Sequence, residues 1–123
     1  MLTTSLALLL LVADPTSAAE NVSRTDSGTD RVPLHTVIPD YPRTARRDRI
    51  EGEVQVCFNI TRSGHPTRIA VRRSSHRVFE KPSRKAVRKS TWLPIGENAP
   101  MSGIKACRTF RFNLVPVSTD AQG

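Results

Sequence analysis

The residues that could do chemistry are few and scattered. His35, His65 and His76 show no HxxxH or HxH spacing, so no ligand pair for a zinc-type site falls on one face. The carboxylates are dispersed and mostly neighbour bases, as in Arg47-Asp48-Arg49, which leaves no pair poised for general acid and base work. Neither a Ser/His/Asp array nor a Gly-rich phosphate cradle can be assembled. The chain is therefore expected to be no enzyme, with no catalytic residue, no metal and no cofactor. Two features remain. Cys57 and Cys107 lack the C-x-x-C spacing of a redox motif or zinc site. A run of bases, Arg72, Arg73, Arg77, Lys81, Arg84, Lys85, Arg88 and Lys89, concentrates positive charge in one short stretch.

Little chain is available to position them. With 123 residues and 13.6 kDa there is room for one small domain. Hydrophobic residues reach 37% and aromatics 5%, so the core is thin and mostly aliphatic. That excludes a multilayer α/β enzyme with a deep cofactor cleft. The 9 Pro and 6 Gly are scattered without period, which excludes a collagen or a coiled coil. Leu6 to Ala13 is unbroken apolar sequence, followed by Asp14-Pro15 and the small residues Thr16-Ser17-Ala18-Ala19. This pattern predicts a secretory signal over residues 1–19, too short for a membrane-spanning helix, with an anchor remnant as the alternative. Its removal deletes Asp14 and no base, raising the net charge from +8 to +9. Residues 20–36, with scant apolar content at their start, read as a disordered leader.

Order is expected over residues 37–115, with a tail at 116–123. Val37-Ile38-Pro39-Asp40-Tyr41-Pro42 is held extended by two prolines, and Arg43 to Arg49 then predicts a two-turn helix. Val54, Val56, Phe58 and Ile60 alternate with polar residues and Cys57, the clearest strand in the chain. Ser63-Gly64-His65-Pro66 turns it into a second strand, Thr67 to Arg73. Val78 to Thr91 predicts an amphipathic helix, with Phe79, Ala86 and Val87 inward and the bases outward. A last strand, Ile104 to Leu114, puts Ala106, Phe110, Phe112 and Leu114 on one face, interrupted by Arg108.

The expected fold is α+β, a three-stranded antiparallel or mixed sheet with two helices packed on one face. The crossover through the long helix places the last strand beside the first, with its other edge open. Cys57 and Cys107 then project from the same side of neighbouring strands. In an exported protein this predicts a structural disulfide. The basic stretch is compatible with nucleic acid, but export and the absence of interleaved aromatics favour a solvated face near anionic envelope polymer.

Several pieces in order resemble the C-terminal domain of the TonB energy transducers. They are Pro39-Asp40-Tyr41-Pro42 with Ala45, Ile50 to Val56, Thr61-Arg62-Ser63-Gly64 leading into Ile69, and Ser74-Ser75 before Phe79-Glu80. Ala86-Val87, Trp92-Leu93-Pro94 and Phe110-Arg111-Phe112 continue the series. The resemblance implies a periplasmic domain that binds the TonB box of outer-membrane receptors, in support of energy-dependent uptake. The receptor segment would add as a strand to the last strand's edge, at Arg108, Thr109, Phe110, Arg111, Phe112 and Asn113. Val37, Ile38, Pro39, Tyr41 and Pro42 correspond to the family's other receptor-contact region, although Tyr41 and Pro42 also suit helix entry and core packing. A motor complex would be a partner only with a membrane anchor. A homodimer is left open, and no nucleic acid is expected. Binding another envelope partner or anionic polymer without energy transduction is the alternative. Two departures stand out: a leader too short to cross the periplasm, and Ser90 where many family members carry an aromatic.

Overall fold

The computed structural model describes residues 18–116. The elements run β1 (Ala18–Ser27), β2 (Pro33–His35), α1 (Arg43–Arg47), β3 (Gly52–Ile60) and β4 (Pro66–Ser74). A 3₁₀ turn (Arg77–Phe79), α2 (Glu80–Lys89), β5 (Thr91–Trp92) and β6 (Ala106–Pro116) complete the chain. The principal sheet has the order β1-β6-β3-β4 and is antiparallel throughout. β2 and β5 form a separate two-stranded ribbon. Most of the expected signal segment, residues 1–17, and the tail beyond residue 116 lie outside the described residues.

Each element follows from local pattern. β3 buries Val54, Val56, Phe58 and Ile60 on one face, the period-2 alternation of a half-covered strand. Thr61-Arg62-Ser63-Gly64 closes the β3–β4 hairpin, and Gly64 sits at φ +92°, a conformation that a Cβ disfavours. A Cβ there would also lie 1.9 Å from the Trp92 carbonyl oxygen, so the turn packs directly against β5. Pro42 caps α1 in an extended conformation and Pro82 occupies the first turn of α2, where its missing N–H costs no helical bond. Tyr41, Ala45, Phe79, Ala86 and Val87 meet the inner face of β3 and β6 in one core. Phe79 stacks on Phe112 at 4.3 Å between centroids, and Tyr41 meets both edge-on at 5.7 and 5.6 Å.

Residues 20–36, read from composition as a disordered leader, are ordered instead. β1 pairs along its length with β6, from Ala18 opposite Pro116 to Ser27 opposite Cys107. After the bend at Gly28, Arg31 donates to the Thr61 and Leu93 carbonyls at 2.9 and 3.1 Å, and β2 then joins β5. The sheet therefore has four strands where three were expected, and the segment that looked like a linker is spent on the domain's surface. Composition failed here for a definable reason. β1 is held by backbone pairing and by ion pairs from Glu20 to Arg46 and from Asp26 to Arg108, and it carries almost no apolar signal.

Candidate functional site

The edge of the last strand is built by alternation. Cys57 stands directly opposite Cys107, and the two sulfurs are bonded, with the Cα atoms 4.1 Å apart. That separation marks a non-hydrogen-bonded pair, in which the backbone groups of both residues point away from each other. The parity then fixes the rest of β6. Cys107, Thr109, Arg111 and Asn113 turn their N–H and C=O groups toward β1, whereas Arg108, Phe110 and Phe112 turn theirs toward β3. Of the six β6 residues expected at a partner edge, three present backbone to it. The N–H of Phe112 serves the β3 ladder.

That edge is not open in this chain. β1 lies along it, opposite all six of Arg108 to Asn113. Expecting a bare edge overlooked a strand whose polar composition concealed it.

Arg108 is the chemical centre of the site. It is fully buried, although its neighbours along the inward face are Ala106, Phe110 and Phe112. Its guanidinium grips Asp26 of β1 with both carboxylate oxygens, Nε–Oδ1 at 2.6 Å and Nη2–Oδ2 at 3.0 Å. Its Cζ lies 5.0 Å from the centre of the Trp92 ring, and Nη1 reaches Ser90 Oγ at 3.4 Å. The bidentate geometry is the strong form of this pairing, and burial makes it costly to break from the Asp26 side. Burial alone would raise the Asp26 carboxyl, but hydrogen bonding and charge from Arg108, joined by Arg24, hold it below the ordinary carboxylate range.

Ser90 explains how a guanidinium fits. Its hydroxyl donates to the Ala86 carbonyl at 2.8 Å and accepts the Val37 N–H at 3.0 Å, while facing Arg108. The serine at position 90 and the arginine that interrupts the strand's apolar face are one local solution.

The second group of expected contact residues lies elsewhere. Val37, Ile38, Pro39 and Asp40 face Pro82, Lys85, Ala86 and Lys89 of α2 across a shallow cleft of about 200 Å³. Ile38 is exposed, Pro39 is buried, and the Val37 N–H donates to Ser90, which faces Arg108. Tyr41 is buried and donates its hydroxyl to the Ile50 carbonyl at 2.5 Å, so it serves the core. Pro42 serves helix entry. Sequence reasoning missed Asp26, the residue that completes Arg108. The signal lay in Arg108 itself, a base in a buried strand phase that requires an acid from somewhere.

Lys81, Lys85, Arg88 and Lys89 of α2 are exposed, forming a basic surface away from the sheet edge. Among the described residues no group of His, Cys, Asp or Glu could hold a metal ion, and no helix is long and apolar enough to cross a membrane.

The family model for the Gram-negative bacterial TonB protein C-terminal domain matches residues 38–114. The chain belongs to the TonB C-terminal family. Its fold is also similar to the solution NMR structure of the Pseudomonas aeruginosa TonB C-terminal domain. The TM-score is 0.50 at 30% identity, covering 74% of this chain and 90% of that one. No curated protein matches the chain. The TonB-type region begins at residue 38, so β1 and Asp26 lie outside it while Arg108 lies within.

Proposed function

We propose that this is an exported, periplasmic, non-enzymatic TonB-type binding domain. It contacts the TonB box of outer-membrane receptors by strand addition at β6 and so supports energy-dependent uptake. Family membership supports a protein-binding role. The observation that carries the choice of surface is the outer edge of β6, whose Thr109, Arg111 and Asn113 backbone groups are aligned to pair with an extended segment. That edge already accepts one strand antiparallel over ten residues, so its twist and side-chain relief suit strand addition. Val37 and Ile38, beside the cleft on α2, are the second proposed contact. The test is pull-down of the full oxidised chain on immobilised TonB-box peptides. Retention that is lost when the β6 edge is blocked is the expected result. No retention on any such peptide would defeat the receptor reading.

A second reading rests on the exposed bases of α2, which suit an anionic envelope polymer. It predicts that neutralising Lys81, Lys85, Arg88 and Lys89 abolishes envelope association in a chain that binds no peptide.

A further inference from the structure

We propose that β1 is a self-supplied stand-in for the partner strand, and that an outside segment replaces it only by bringing a carboxylate to Arg108. This rests on the strand-addition reading and adds to it the chemistry of the segment admitted.

β1 is built to leave. Its outward residues Asn21, Ser23, Thr25 and Ser27 are exposed, and of Glu20, Val22, Arg24 and Asp26 on its inward side Val22 alone packs against the core. Side-chain ties to the rest of the domain are few: Asp26 to Arg108, Glu20 to Arg46, and Thr25 to Arg111. A strand with so little buried apolar surface is drawn from the low-stability end of a fold. The sheet inward of it has supports of its own. β6, β3 and β4 are paired to one another, joined by the disulfide, and backed by the aromatic core.

Arg108 makes the vacancy selective. It has no exposed surface, and among the described residues the only carboxylate bonded to it is that of Asp26. Any strand that displaces β1 without an acid at this register would leave a buried cation facing only Ser90 and Trp92. A segment carrying Asp or Glu there restores the bidentate pair. β1 thus gates the edge, and Arg108 reads what comes in.

The experiment uses the full oxidised chain and a fluorescent peptide with the β1 sequence, AAENVSRTDS, alongside its Asp26→Asn form. Fluorescence anisotropy is read on the wild type, on Asp26→Asn, and on Glu20→Cys/Leu114→Cys. The last pair is a non-hydrogen-bonded pair by parity, so its disulfide locks β1 in place. Weakening the internal strand raises the competent fraction, so the Asp26→Asn chain should bind the acidic peptide at least about tenfold tighter than wild type does. That chain should bind the Asn peptide at least about tenfold more weakly than the acidic one. The locked chain should bind neither. Equal affinity for the two peptides, undiminished binding to the locked chain, or no binding to any chain overturns the proposal. Should Asp26→Asn fail to fold, the wild type against the locked chain, each with both peptides, decides the same points. Exchange of the β1 peptide without TonB-box binding would sink the receptor reading alone. TonB-box binding that the lock leaves unchanged would sink the gate alone.

Discussion

Replacing Asp26 by Ala leaves Arg108 in place, fully buried, without its two charged hydrogen bonds. Breaking a buried ion pair from one side costs about 3–5 kcal/mol, and the low end applies because Asp26 keeps 26% of its side-chain surface exposed. A loss of about 3 kcal/mol lowers the melting temperature of a domain this size by roughly 12–24 °C. The reverse change is milder. Arg108→Met leaves an aspartate that reaches water and still has Arg24 beside it, so the loss should be about 1 kcal/mol. The double variant Asp26→Ala/Arg108→Met removes both charges and should fall within about 1 kcal/mol of wild type. Urea unfolding followed by circular dichroism, run as a double-mutant cycle, should give a coupling of about 3 kcal/mol. A cost below about 1 kcal/mol for Asp26→Ala, or a coupling near zero, would refute the claim that this pair holds β1.

Further expectations follow from neighbouring features. Replacing both Cys57 and Cys107 by Ala opens a loop spanning 50 residues and should cost about 4 kcal/mol in the chain-entropy account; an unchanged urea midpoint would contradict this. Because Asp26 titrates lower folded than unfolded, its stabilisation is complete above about pH 4 and is lost as pH falls through the folded value. Urea midpoints of wild type should therefore drop more between neutral and strongly acid pH than those of Asp26→Ala/Arg108→Met. Gly64→Ala forces a side chain into φ +92° and against the Trp92 carbonyl, which should cost more than about 2 kcal/mol in the same assay. Phe112→Pro removes a β3-facing N–H and should destabilise the whole domain, whereas Arg111→Pro removes a β1-facing one and should loosen β1 first, as read by amide exchange.

The part of the fold legible in the sequence is the part driven by apolar periodicity. β3 alternates, α2 carries Phe79, Ala86 and Val87 on one side, and β6 repeats inward aromatics, so layer, order and the Cys57–Cys107 bond all followed. What stayed hidden was the element whose order comes from its neighbours. From Glu20 to Ser27 β1 has one Val and otherwise polar side chains, and its ladder to β6 uses backbone groups that every residue possesses. Arg108 was visible as an exception in a buried phase, but a single base does not say which of the dispersed acids it meets. The partner lies 82 residues away, and only the sheet brings it there. In the segment before α1, Tyr41 and Pro42 serve packing and helix entry, as their types suggest, while Val37 and Ile38 border the cleft.

Amide-resolved NMR titration of the full oxidised chain with TonB-box peptides tests the central claim most directly. The account predicts shifts at Thr109, Arg111 and Asn113, whose N–H groups exchange β1 for the peptide and stay protected, together with loss of protection across β1. Binding that leaves β1 protected and confines its shifts to α2 would contradict it.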